Sequence, residues 1–214
     1  MARPRTFDEE AILDRAMLLF WRKGYEATAM SDLVEELGLG RGSIYAAFGD
    51  KHQLFIRALG RYLDRQAHLL TTAFSEDRPA LAQLREVLDK LLAADAACGD
   101  AGCFSVNSIA ELLPHDQEVA TLARRSLRVA EETLTAQLER AARSGELSPV
   151  ITPQQGARLL QNLVQGLQIM RKVNPDPGHA AACLDSAFAL LTGPLAPATA
   201  QTGPAALAVT GTAS

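Results

Sequence analysis

Four side chains suited to gripping nucleic acid, Arg41, Ser43, Tyr45 and Lys51, fall within the eleven-residue stretch RGSIYAAFGDK. Arginine can hold O6 and N7 of guanine with two donors at once. Serine and tyrosine hydroxyls reach bases or phosphates, and lysine meets phosphate as a point charge. The residues between and around them are small: Gly40, Gly42, Ala46 and Ala47. On a helix over 41–48, Ile44 and Phe48 share the inward face, while Arg41, Gly42, Ser43, Tyr45 and Ala46 point outward. A bare outward face suits a helix that must come close to another surface, such as a DNA major groove about 12 Å wide. Gly42 lets the backbone approach, and free N–H groups at a helix N-terminus favour phosphate. Arg41 is then the candidate base contact, Ser43 a base or phosphate contact, and Tyr45 a phosphate contact. Thr28 and Lys51, at the starts of the flanking helices, suit phosphates on either side. Arg3 and Arg5 could follow the backbone or enter a minor groove as an arm.

The other chemically capable residues group less well. Cys103, in GCFSVN, follows a glycine break near a helix start. A helix N-terminus favours the thiolate, so oxidant or electrophile sensing stands beside plain burial as a reading. Cys98 and Cys103 have four residues between them and no histidine set nearby, a poor metal site. With Cys183 the cysteine count is odd, which argues against a disulfide framework. Ser108, His115 and Asp116 are close in sequence, but no nucleophile elbow, Walker loop, dinucleotide fingerprint or HExxH motif accompanies them. The expectation is a protein that is not an enzyme, with no cofactor and no metal.

These residues need elements to hold them, and helical spacing with clear punctuation runs almost the whole length, with no sustained alternation of period two. Thr6 and Glu9 form a capping box for a first helix near 7–23, ended by Gly24. Thr28 is the expected N-cap of a second helix over 29–37. The turn Gly38-Leu39-Gly40 leads to the third over 41–48. Asp50 and Gln53 start a fourth that runs to about 75. Further helices are expected over 79–97, with a break at Gly99–Gly102, then 104–113, 117–143, 153–173 and 178–192. Thr152, Pro153 and Gln155 combine N-cap, proline at the first helical position and capping-box glutamine. The fold class is all-α. Residues 1–50 form a three-helix helix-turn-helix domain, the 51–75 helix connects, residues 51–193 form a second helical domain, and 194–214, rich in Ala, Thr, Gly and Pro, form a disordered tail.

Of 214 residues, 48% are apolar and 21% charged, enough for a real core. No apolar run approaches the roughly 18 residues of a membrane span, and MARPRTFDEE lacks the apolar segment of a signal peptide, so the expected place is the cytoplasm, with no membrane partner. The net charge of −4 does not advertise nucleic-acid binding, but residues 1–65 carry 10 basic and 10 acidic residues, so the whole deficit lies beyond them.

Two short helices joined by a glycine-containing turn are the helix-turn-helix signature. The order Gly24-Tyr-Glu-Ala-Thr28, Asp32-Leu-Val34, Gly38-Leu-Gly-Arg-Gly-Ser-Ile-Tyr45, Phe48-Gly-Asp-Lys51 and Leu54-Phe55 resembles the TetR family of transcriptional regulators over about residues 7–60. The resemblance implies an N-terminal DNA-binding domain and a C-terminal domain for ligand and dimerisation. It puts Thr28, Arg41, Gly42, Ser43, Tyr45 and Lys51 where family members touch DNA, and it implies a repressor released by a small molecule. Gly40 departs from it, since many members carry Ser or Thr there; Ala46 and Ala47 replace bulkier residues. The GCFSVN stretch resembles a branch in which some members have a cysteine here that responds to oxidants or electrophiles. A helical protein-interaction module that does not bind DNA is the more remote alternative.

A double-stranded, near-palindromic operator calls for a homodimer. The last two helices (153–173 and 178–192) are the candidates. Leu159, Leu160, Leu163, Val164, Leu167 and Met170 form an apolar face that Gly166 opens to close approach, and Leu184, Ala187, Phe188 and Leu191 form a matching stripe. A small-molecule effector would sit between the middle helices in a largely apolar pocket. Its candidate residues are Phe74, Phe104, Asn107, Leu163, Gln165 and Met170.

Overall fold

The computed structural model of the chain describes residues 7–96 and 102–193. Arg3, Arg5, the Thr6 cap, Cys98, most of the Gly99–Gly102 break and the 194–214 segment lie outside the described residues. Within them are α1 (Glu9–Lys23), α2 (Met30–Leu37), α3 (Arg41–Phe48), α4 (Lys51–Thr72), α5 (Ala80–Ala96), α6 (Phe104–Leu112), α7 (Gln117–Arg143), α8 (Pro153–Met170) and α9 (Pro177–Thr192), and no strand.

Local chemistry sets most of these boundaries. The Asp116 carboxylate accepts the N–H groups of Glu118 and Val119, both at 3.0 Å, and starts α7 at the expected residue. Thr152 and Gln155 exchange hydrogen bonds at the head of α8, as the capping box requires. Asp50 accepts the Gln53 N–H at 2.8 Å and starts α4. Gly38, with φ of 65°, closes α2 in the left-handed conformation that glycine adopts at little cost.

Four starts differ from expectation; α5 and α9 shift by one residue, to Ala80 and Pro177, and the other two have a local cause. Asp8 caps α1 by accepting the N–H groups of Glu10 and Ala11, so the helix begins at Glu9. Thr28 is not the cap of α2. Its hydroxyl donates to the Gly24 carbonyl and its side chain is fully buried. Ala29 takes the cap position, where its own N–H donates to the Asp32 carboxylate at 2.7 Å. Three ends also fall short of expectation: α4 stops at Thr72, α6 at Leu112 and α8 at Met170.

The buried residues form two clusters. The first joins α1 to α4 with α6 and the head of α7, through Phe20, Leu33, Ile44, Phe48, Leu54, Phe55, Phe104 and Val119. Phe55, wholly buried, meets Phe20 and Phe104 edge-on at centroid distances of 5.2 and 5.8 Å. The second gathers Leu70 at the end of α4 with Leu84, Leu138, Leu160, Leu184 and Leu191 of α5, α7, α8 and α9. Ion pairs lace α1 to α4: Arg57 to Glu9, and Arg61 and Arg65 to Asp14.

The expected apolar face of the last two helices divides. Leu160, Leu167, Leu184, Ala187 and Leu191 are buried inside the subunit, with Leu163, Val164 and Phe188 packed partly against them. The outward apolar residues are Leu159, Ile169 and Met170 on α8, Val173 just beyond it, and Leu190 on α9. Helical spacing alone could not separate the two faces, because α8 is apolar on more than half its circumference.

Candidate nucleic-acid interface and cavity

Ile44 and Phe48 anchor α3, at 0% and 4% exposure, and they leave Arg41, Gly42, Ser43, Tyr45 and Ala46 exposed. A Cβ placed on Gly40 or Gly42 would meet nothing within 4 Å. Neither residue has a positive φ. The chain's own packing therefore does not require glycine at these two positions, which is what a face reserved for an outside surface looks like. Arg41 and Tyr45 lie one turn apart. The guanidinium donates to the phenol oxygen from Nε at 3.4 Å and from Nη2 at 3.3 Å, and it stands 5.7 Å from the ring centroid. Ser43 contributes its backbone N–H to the Gly40 carbonyl at 2.8 Å and keeps its side chain outward.

The flanking residues are held from several sides. The Lys51 ammonium donates to the carbonyls of Tyr25 and Thr28, each at 2.9 Å, and lies 4.2 Å from the Tyr25 ring centroid. An ammonium has three N–H groups, so one donor remains for a phosphate. Thr28, by contrast, has no hydroxyl to offer outward. Lys23 pairs with Asp32, and that hydrogen bond, helped by the Ala29 amide, holds the Asp32 carboxyl below the usual aspartate range.

Sequence reasoning missed the strut behind this head. Glu111, at the end of α6, accepts the N–H of Tyr25 at 3.0 Å and of Glu26 at 2.8 Å. One carboxylate thus fixes the turn between α1 and α2. Gly24, at φ of 85°, lies so close that a Cβ there would stand 3.2 Å from the carboxylate. His52 on α4 meets Asp116 at 2.7 Å. Burial pushes the Asp116 carboxyl up, but the Val119 amide and His52 outweigh it and hold it below the usual range. The Trp21 indole donates to the Gly102 carbonyl at 2.8 Å, joining α1 to the chain just ahead of α6. Nothing in a linear sequence flags a glutamate that bonds 86 residues away.

A cavity of about 110 Å³ lies among α4, α5, α6, α7 and α8. Of the six residues expected to line it, only Gln165 does. Phe104 is buried in the first core against Trp21, Phe55 and Tyr62. Asn107 lines a separate depression between α1 and α6, beside Arg22, Lys23 and Glu111. Phe74 and Leu163 pack against the second core, and Met170 is exposed. The actual walls include Tyr62 and Gln66 of α4, Ser105 of α6, Ser126 of α7 and the row Gln161, Gln165, Gln168 of α8. That row was legible, since glutamines spaced by four and three share one helical face. Cys103 caps α6, is buried and lines the cavity, with its Sγ 3.2 Å from the Tyr62 hydroxyl.

The three residues weighed as a hydrolytic set are engaged separately. The Ser108 hydroxyl donates to the Phe104 carbonyl at 2.8 Å, Asp116 caps α7, and His115 is exposed. Among the described residues no group of His, Cys, Asp and Glu is placed to hold a metal, and no helix is long and apolar enough to cross a membrane.

The family model described as bacterial regulatory proteins, tetR family, matches residues 12–58, and the tetracyclin repressor-like C-terminal domain matches residues 80–187. The HTH-type transcriptional repressor ComR of Escherichia coli (strain K12) is 35% identical over 173 residues, which cover 78% of this chain and 80% of that one. A structure of a cysteine mutant of the TetR family transcriptional regulator CifR, complexed with 26-base-pair operator DNA, superposes with a TM-score of 0.73 at 25% identity, covering 89% of this chain and all of that one. The reduced form of NemR from E. coli shares the fold, with a TM-score of 0.73 at 20% identity over 87% of this chain and 98% of that one. The paired domain matches, the repressor relative and the bare, anchored α3 agree: the chain belongs to the tetR family of bacterial regulatory proteins and is a helix-turn-helix, DNA-binding transcriptional regulator.

Proposed function

We propose that this regulator is a repressor that binds a near-palindromic operator as a dimer and leaves it when a small molecule enters the cavity. Two α3 helices, one from each protomer, lie in successive major grooves. Arg41 reads a base, guanine by preference, and Ser43 a base or phosphate. Gly42 gives the backbone its approach, and Tyr45 and Lys51 hold phosphates. Arg3 and Arg5 serve as an arm. Helices α8 and α9 form the dimer interface, through the outward face that carries Leu159, Gly166, Met170 and Leu190.

The observation that carries the release step is the position of α6. Its first turn borders the cavity through Cys103 and Ser105, and its last turn carries Glu111, which bonds the α1–α2 turn. A ligand that fits the cavity better when α6 is displaced also loosens the Glu111 contact. Linkage then requires that ligand and operator weaken each other's binding by the same factor.

The test is an unbiased operator selection followed by fluorescence anisotropy at low salt; no sequence-specific binding there removes the reading. On a selected operator, Lys51→Ala is expected to weaken all sequences about equally and to reduce the salt slope by about 1. A second reading, thiol sensing, is favoured by one observation: Cys103 borders the cavity beside the Tyr62 hydroxyl. It fails if Cys103→Ser leaves the oxidant response of operator binding unchanged.

A further inference from the structure

The cavity among α4 to α8 has an unusual wall. Among the described residues lining it, none is Asp, Glu, Lys, Arg or His. Its polar groups are amides, hydroxyls and one thiol. The Gln161 amide nitrogen is spent on the Leu127 carbonyl at 3.0 Å, which leaves its oxygen as the acceptor. Ser105, Ser126 and Gln165, all half-buried, have no hydrogen-bond partner among the described residues. Of the nearby charged residues, Arg85 pairs with Asp89 and Asp185 and Arg158 with Glu131. Arg171, just past α8, donates from Nη1 to the Leu92 carbonyl and keeps Nε and Nη2 buried without a partner among the described residues, but it is not among the lining residues.

We infer that the cavity takes a small, uncharged organic molecule with an apolar body and one or two hydrogen-bonding groups, a short-chain alcohol or carbonyl compound. The inference rests on the reading that this cavity is the effector site, and it names the class of effector.

Charge decides the class. An ion that gives up its water needs a counter-charge or several aligned donors, and amides and hydroxyls supply no counter-charge. A neutral hydroxyl or carbonyl asks only for the partners that Ser105, Ser126 and the glutamines offer. Volume decides the size. A protein cavity of about 150 Å³ admits benzene. The 110 Å³ here is about three-quarters of that, so it suits a short chain or a small ring, roughly four to six heavy atoms.

The test uses a matched set on the full chain: butan-1-ol, butyrate and butylammonium, titrated by calorimetry and by ligand-observed NMR. Butan-1-ol is expected to bind saturably, and the two ions about a hundred-fold more weakly or not at all. Gln165→Glu puts a carboxylate in the wall with little change of shape and is expected to turn the preference towards butylammonium. Ala130→Phe, which fills the space, is expected to abolish binding of the alcohol. Butyrate or butylammonium binding the natural sequence as well as the alcohol overturns the inference, and so does the absence of saturable binding by butan-1-ol. Operator affinity is read separately by anisotropy. If the alcohol binds and Gln165→Glu switches the preference while operator affinity does not change, the ligand class stands and the release reading falls.

Discussion

Around the reading head, charged groups are spent on fixing the scaffold: Lys51 on two backbone carbonyls, Glu111 on two backbone amides, and Lys23 with Asp32 and Arg61 and Arg65 with Asp14 in ion pairs between helices. The cavity farther along α4 is built without a charge among its described lining residues. A surface that must match a fixed lattice of phosphates gains from rigid, directional bonds. A cavity that must admit a guest gains from walls that can repack, and packed apolar side chains with neutral amides supply that. Helix α6 belongs to the first arrangement through Glu111 and borders the second through Ser105.

Several measurements would break or sharpen this contrast. The largest effect is expected from Phe55→Ala, which removes the ring between Phe20 and Phe104 and should lower unfolding stability by about 3–5 kcal/mol. Urea denaturation checks it. A loss near zero would mean that head and sensing helices are not held through this ring. Arg41→Ala should weaken operator binding by about 1–3 kcal/mol, with the loss confined to one base position of each half-site. A variant that binds like the natural sequence would move base reading away from Arg41.

Glu111→Ala should cost about 1–1.5 kcal/mol of operator affinity. Amide exchange at Tyr25 and Glu26 should quicken while the amides of α9 keep their rates. Unchanged exchange at the turn would show that the carboxylate is not its clamp. The smallest effect is electrostatic. The Arg61 hydrogen bond holds the Asp14 carboxyl below the usual aspartate range, against the opposing pull of burial, and Arg65 adds to it. A depressed carboxylate pKa contributes stability above the unfolded value of about 3.9, and that contribution disappears as pH falls through the lower folded value. Asp14→Asn should therefore lower stability by under about 1 kcal/mol at neutral pH, and the difference should fade as pH drops through the folded value. A difference that persists in acid would assign the effect to shape rather than charge.

Much of the head was legible because its determinants are close in sequence. The α3 limits, the Gly38 turn and the caps at Asp50, Asp116 and Thr152 each depend on residues within a few positions of one another. Thr28 shows where this stops: threonine before a helix is a good cap only if its hydroxyl is not already taken, and here the Gly24 carbonyl takes it. The cavity was barely legible. Apolar periodicity tells which face of each helix turns inward, but which inward residues border a void depends on the rotation and offset of five helices at once. Phe104 and Leu163 were sound core residues on the wrong side of that geometry. The glutamine row on α8 carried the usable signal, since three amides on an inward face need an explanation that packing does not give.

The first core takes in Phe104, Val106 and Leu112 of α6 together with α1 to α3. That has a bearing on protein engineering. The simplest repressor chimera swaps the chain at the end of the helix-turn-helix, which here means a cut near residue 50. Such a cut would separate Trp21 from Gly102, Glu111 from the turn it caps, and Phe20 from Phe55. A graft that keeps residues 7–63 and 102–119 together as one cassette, with the junctions placed just beyond the first core, should give the chimera the donor's operator affinity where the simple swap does not.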